Sequence, residues 1–345
     1  MTNKKIRDYG INIGNFTTGS NNSITDVKGV KVGHTTLDDG VIKTGVTAIL
    51  PHEGNIFKDK LIAACHVING FGKSTGLIQI EELGTIETPI ILTNTLSVGI
   101  AHETLVRYIL AQNDDIGSTT GTVNPVICEC NDGVINDIRG LHVKQEHIYE
   151  AIEKCNIEFA EGNIGAGTGM VCYGLKGGIG SSSRIVELEN TQYTIGVLVL
   201  SNFGSLEDFV LNGDHIGPKL VEKTKEIDTT EDKGSIIIIL ATDIPLSSRQ
   251  LKRIIKRVYP GISRTGSYTG NGSGEVVIGF STANIIKHYE ENDVIDIRVI
   301  NENKINKIFK ATVEATEEAI LNSLICSTSS IDRDGKQVYS LKDLI

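Results

Sequence analysis

Short apolar runs rich in β-branched residues alternate along this 345-residue chain with segments of helical period, and that alternation limits the fold more than any other feature. A strand is apolar on a face and a helix along a stripe, so each has to be covered by another layer. Strands are expected at Val30–Thr36, Thr44–Leu50, Pro89–Thr93, Pro125–Glu129, Tyr193–Leu200, Ser235–Ala241, Glu275–Ser281 and Val294–Ile300. Helices are expected at Val98–Gln112, Glu146–Cys155, Ser247–Val258 and Lys304–Leu324. In the last of these Ile305, Phe309, Val313, Ile320 and Leu324 fall close to one stripe, with Thr316 its only polar member. The mixture points to helices layered on sheet, α/β or α+β, with no internal repeat. Length alone allows one large domain or two ordinary ones.

The formal net charge of −10 argues against nucleic acid and anionic membrane as partners. No apolar run approaches the roughly 20 residues of a membrane helix, and the longest, Ile236–Ala241, is strand-sized. The opening MTNKKIRDYGINIG has no apolar core, so no secretory signal is expected. The thiols of Cys65, Cys128, Cys130, Cys155, Cys172 and Cys326 are then expected to be reduced, in the cytoplasm.

The 37 glycines invite phosphate-loop readings. Gly70-Phe71-Gly72-Lys73-Ser74 ends like such a loop, but Val67 stands where its first glycine belongs. Gly165, Gly167 and Gly169 fall short of a dinucleotide fingerprint, which needs a glycine at Met170 and a strand just before it. A structural loop, close backbone approach or the scaffold of a hydrolase site suits them better. Cys128-Glu129-Cys130 lacks a second pair and the histidines show no ligand spacing, so no metal or other cofactor is expected. A nucleophile elbow around Ser273 fails because Asn271 and Glu275 flank it.

What remains is Asn271-Gly272-Ser273-Gly274-Glu275 at the head of the strand EVVIGFS. In an extended chain side chains at i and i+2 share a face, so Ser273 and Glu275 can present hydroxyl and carboxylate side by side. A second acid, Glu129, ends the strand PVICE before the turn Asn131-Asp132-Gly133. Strand ends opening into such turns are places to build a site, though most are only turns. Residues 222–233 carry eight charges in twelve positions and read alone as a solvated loop, but they lead abruptly into Gly234, Ser235 and an apolar strand.

Together these pieces resemble one family, the L-aminopeptidase/D-esterase-amidase and β-peptidyl aminopeptidase group of self-processing N-terminal serine hydrolases. The resemblance rests on NSITDVKGVKVGHTTL, GVTAILPHEGN, NGFGKSTGL, CECNDGVINDIRG, GNIGAGTGM with GLKGGIGSSSR, GVLVLSNFG, KGSIIIILATDIPL and TGSYTGNGSGE, in that order and spacing. It runs over nearly the whole chain. It implies a single domain over 1–345 of α+β class, a four-layer αββα sandwich resembling N-terminal-nucleophile hydrolases with different connectivity. It further implies self-cleavage between Gly234 and Ser235 into an α chain of 1–234 and a β chain of 235–345. Processed αβ units are implied to form homo-oligomers, tetramers or larger.

The same resemblance assigns roles. Ser235 becomes the N-terminal nucleophile, and its freed α-amine, with a reference pKa of about 7.7–8.0, accepts the hydroxyl proton. Ser273 hydrogen-bonds the nucleophile, Glu275 orients the relay, Asn202 donates to the oxyanion, and Glu129 grips the free amino group of the substrate. Asn131 occupies a position where some members carry a tyrosine beside the oxyanion, which alters the reach of the donor. Gly234, lacking Cβ, can take a strained geometry that exposes its carbonyl. The implied activity is an aminopeptidase or amidase acting on small peptides, amides or esters through an acyl-enzyme. Two other readings share the architecture: an ornithine-acetyltransferase-like acyltransferase and an amide-oligomer hydrolase, both generally using threonine. A non-catalytic binding protein is the reading of another class.

Overall fold

Every strand expected from an apolar run forms except one, in a computed structural model that describes residues 4–224 and 234–345. The smaller of two main sheets holds β1 (Lys31–Asp39), β2 (Ile42–Leu50), β5 (Ile90–Asn94) and β6 (Val126–Cys130), in that order, with β5 and β6 parallel. The larger has the order β4 (Thr85–Ile86), β3 (Asp59–Gly70), β14 (Gly274–Lys287), β13 (Ser235–Thr242), β10 (Thr191–Asn202) and β9 (Gly178–Leu188). Its only parallel pair is β13 with β14. Three short hairpins, β7/β8 (Val171–Cys172, Leu175–Lys176), β11/β12 (Val210–Leu211, Asp214–His215) and β15/β16 (Ser330–Ile331, Gln337–Val338), stand outside the two sheets.

The layer order follows from which side chains share a core. Ile237, Ile239 and Ala241 of β13 pack with Ile49, Ile90, Leu92 and Val126 of the smaller sheet. Ile236, Ile238 and Leu240 turn the other way, onto helices α5 (Ser248–Ile255), α6 (Val258–Arg264) and α7 (Asn306–Ile325). On its far side the smaller sheet packs Val46, Ala48, Ile91 and Ile127 against α2 (Val98–Leu110) and α3 (Gln145–Glu153). The result is helix, sheet, sheet, helix: an α+β sandwich of four layers. All eight residues of β13 are buried, as expected for a strand covered on both faces and written as an unbroken apolar run. Of the remaining helices, α1 (Leu77–Leu83) packs on β3, and α4 (Gly217–Thr224) is the last described element before residues 225–233. Most of the charged stretch 222–233 thus lies outside the described residues. Among the described residues no helix is long and apolar enough to cross a membrane.

Three expectations change. Val294–Ile300 is not a strand: its backbone joins no ladder and is held only near its end, where Arg298 pairs with the Asn284 side chain and Ile300 N–H donates to Pro245 O. The helix expected at Ser247–Val258 divides into α5 and α6, with Ser247 capping α5 reciprocally with Gln250. And α7 is far more than a striped helix, because Ala311, Thr312 and Glu314–Ile325 are all buried. Its acids are paired: Glu318 receives Arg184 and Arg7, and Glu317 receives Arg264. Arg184 belongs to β9, whose run Ser181-Ser182-Ser183-Arg184 is wholly buried. Ser182 Oγ donates to Ala315 O on α7 at 2.6 Å. This strand has no apolar run because its polar side chains are satisfied by distant groups: Ser182 and Arg184 by α7, Ser181 by Val197 O and Ser183 by Asp26.

Candidate active site

Ser235 is the first residue of β13, and its neighbours in the sheet are also strand ends. Across the antiparallel pair it faces Asn202, the last residue of β10. Across the parallel pair it faces Gly274, the first residue of β14. In the smaller sheet β6 ends in Glu129-Cys130. The ends of both sheets open on one cavity of about 790 Å³, lined among others by Gly234, Ser235, Asn202, Glu129 and Asn131.

The glycine at 234 answers a need for space: a Cβ there would lie 1.9 Å from Asn202 O. Its carbonyl accepts the Gly274 N–H at 2.9 Å. A side chain at 274 would in turn meet Phe71 O at 2.6 Å. Gly234 thus lets its segment close on the end of β10, and Gly274 lets the head of β14 close on the segment 71–72.

Ser235 is buried beside the thiol of Cys130, which itself donates to Leu200 O at 3.6 Å. Burial pushes that thiol well above its usual range, partly offset by the Ser235 hydroxyl, so Cys130 stays protonated beside the serine. The cysteine spacing gave no sign of this neighbour, since its partner lies 105 residues away on another sheet.

Asn202 has its amide oriented by two contacts. Val171 N–H donates to Oδ1 at 2.9 Å, and Nδ2 donates to Asn131 O at 3.1 Å. Among the described residues the second N–H of the amide has no partner, and Asn202 lines the cavity wall. Asn131 is exposed, and its own Oδ1 accepts Gly133 N–H at 2.9 Å, fixing the turn. Glu129 is buried and accepts two donors, the Lys73 N–H at 2.9 Å and the Thr95 hydroxyl. The segment 70–74, which looked like a failed phosphate loop, is thus a wall of this cavity whose amide serves a carboxylate.

Ser273 and Glu275 are fully buried and lie behind the cavity, not on its surface. Alternation along β14 puts Glu275 with Val277 on the helix-facing side, whereas Ser235 aligns with Ile237 and faces the smaller sheet. Glu275, opposite Ile236 in the ladder, therefore lies on the face of the sheet away from the Ser235 side chain. Ser273 donates its N–H to Gly270 O, and its carbonyl accepts the Asn69 side chain. Its hydroxyl has no hydrogen-bond partner among the described residues. Sequence reasoning missed one further wall, the turn of the β15/β16 hairpin with Asp332, Arg333 and Asp334. It is seated by Arg333 N–H on Val134 O at 3.2 Å, a pairing that no local pattern announces.

The glycine-rich stretch 162–170 is packed under the site as a structural loop. A Cβ at Gly167 would meet Gly162 O at 2.7 Å. Buried Lys176 donates to the carbonyls of Gly167, Met170 and Gly177 at 2.7–3.1 Å, and burial lowers its pKa to about 7.

A family model described as peptidase family S58 matches residues 22–338. The chain belongs to peptidase family S58. This membership makes it a hydrolase of the aminopeptidase type. It is 37% identical to a β-peptidyl aminopeptidase, BapA, from Sphingosinicella microcystinivorans, over 98% of this chain and 89% of the relative. A crystal structure of a protein from Pyrococcus horikoshii OT3 superposes with a TM-score of 0.93 at 54% identity, covering 98% of this chain and 96% of that one. Another, the L-aminopeptidase D-Ala-esterase/amidase of Ochrobactrum anthropi, superposes with a TM-score of 0.90 at 34% identity, covering 98% and 95%. That enzyme is described as a prototype for the serine aminopeptidases and a new variant of the Ntn hydrolase fold.

Proposed function

We propose that the chain cuts itself between Gly234 and Ser235 and then works as an aminopeptidase on small peptides, amides or esters with a free amino group. The observation that carries this reading is the position of Ser235 at the head of a central strand, on the wall of a cavity it shares with Glu129 and Asn202. The Gly274 N–H on the Gly234 carbonyl suits the self-cleavage step, because it draws charge toward the oxygen that becomes an oxyanion when the Ser235 hydroxyl attacks.

After the cut the α-amine of Ser235 is the base. It takes the hydroxyl proton as Oγ attacks the substrate carbonyl and passes it to the departing amine. Water then cleaves the resulting ester and frees the serine. Asn202 donates to the oxyanion with its remaining N–H, and Glu129 holds the substrate's ammonium. Glu275 orients the new amine, and Ser273 offers its hydroxyl to the same relay. Assembly of processed units into homo-oligomers and a cytoplasmic location, suited to six thiols, belong to the same reading.

Turnover of a short peptide with a free amino terminus, set against its N-acetylated form, tests the reading. Acetylation removes the charge that Glu129 pairs with, so kcat/KM should fall by about 10²-fold or more. Equal turnover of the two would rule out an aminopeptidase that reads the amine through Glu129.

A further inference from the structure

Residues 293–300, Asp-Val-Ile-Asp-Ile-Arg-Val-Ile, cross the surface between β14 and α7 outside any helix or strand. Their apolar side chains stand in water: Val294 is 81% exposed, Ile295 50%, Ile297 41% and Val299 51%. Single exposed apolar residues need no explanation, but a contiguous row of them does.

One edge of the segment is occupied. The Asn284 side chain engages both N–H and C=O of Arg298, at 3.0 and 2.9 Å, and Ile300 N–H donates to Pro245 O at 3.0 Å. In an extended chain the backbone groups of alternate residues point to the same edge, so those of Ile295, Ile297 and Val299 point to the opposite one. Among the described residues no hydrogen bond reaches them. An open edge flanked by branched apolar side chains is a template for another strand.

We propose that this edge pairs antiparallel with the same segment of a second copy of the chain, about a dyad through Ile297. That register is selected by the sequence. Asp296 of each copy falls opposite Arg298 of the other, so two opposite-charge pairs form, and Ile295 falls opposite Val299. Neither Asp296 nor Arg298 has an ion-pair partner among the described residues. The pairs that exchange hydrogen bonds are then Ile297 with itself and Ile295 with Val299, the residues whose backbone groups face outward. Moving the dyad to Asp296 or Arg298 would instead set two like charges face to face. Branched side chains above and below the ribbon would be withdrawn from water by the pairing.

The proposal deepens the homo-oligomer reading and is independent of the peptidase chemistry. Sedimentation velocity on the full chain tests it, comparing wild type with Asp296→Arg, Arg298→Asp and the double exchange. Each single change puts like charges opposite each other at both pairs. It should weaken association by about tenfold or more and halve the mass of the assembly, while far-UV circular dichroism stays unchanged. The double exchange restores the pairs and should restore the mass. If the single variants assemble like wild type, or the double variant does not recover, the edge pairing is wrong even if the chain is oligomeric. A monomeric wild type would overturn both this pairing and the homo-oligomer reading.

Discussion

Asn202 does two things with one amide: Oδ1 accepts Val171 N–H and Nδ2 donates to Asn131 O, while its second N–H has no partner among the described residues. In the proposed role of Asn202, the two fixed contacts would hold that N–H ready without reorganisation, the condition under which an oxyanion donor is most effective. Asn202→Ala should therefore lower kcat by about 10²–10³ with little change in KM, read from steady-state kinetics on processed enzyme. His34 is held between Thr47 Oγ1 and Ala160 O, at 2.9 and 3.1 Å, and burial lowers its pKa to about 4 from an ordinary 6.5. Between those values the unfolded chain binds a proton that the native state does not. The stabilisation is complete above pH 6.5 and is lost as pH falls toward 4, by at most about 3 kcal/mol. Denaturant titrations across that range should show the loss in wild type and a much flatter profile in His34→Gln.

At the level of elements, the apolar runs announced seven strands and the two sheets' hydrophobic faces, because a strand covered on both sides needs nothing else. Strand β9 shows where that signal ends. Its Ser181-Ser182-Ser183-Arg184 run is buried, yet no window of sequence around it contains Ala315 or Glu318, the groups on α7 that satisfy Ser182 and Arg184, or Asp26, which satisfies Ser183. Val294–Ile300 fails in the opposite way, having the composition of a strand and no partner strand among the described residues. The site divides similarly. Strand alternation and strand-end turns singled out Ser273, Glu275 and Glu129, the resemblance added Asn202 and the roles of all five with Ser235, and strand ends bring them to one region. Cys130 and the Asp332–Asp334 turn were not singled out, because their relation to Ser235 is made only by packing sheet on sheet and hairpin on loop. The β9–α7 junction also makes a stability prediction. Glu318 receives Arg184 and Arg7, and Arg184 is fully buried. Glu318→Ala leaves that guanidinium with a weakened set of partners in the core and should cost about 3–5 kcal/mol in chemical denaturation.

For the whole molecule, the proposed cut lies at the edge of a strand that is itself in the middle of a sheet. β13 sits between β10, on the α-chain side of the bond, and β14, on the β-chain side. The core between the sheets and the core under α5–α7 both draw side chains from before and after residue 234. Cleavage would break one covalent bond and leave those cores intact, so the fragments should co-elute in native chromatography and part only in denaturant. The proposed chemistry depends on which bond is cut. Intact-mass measurement with N-terminal sequencing, under denaturing conditions, decides it. Wild type should resolve into residues 1–234 and 235–345, the smaller fragment beginning at Ser235, while Ser235→Ala should remain one chain of about 37.2 kDa. An active preparation made only of uncut chain, or a small fragment beginning anywhere else, would contradict it.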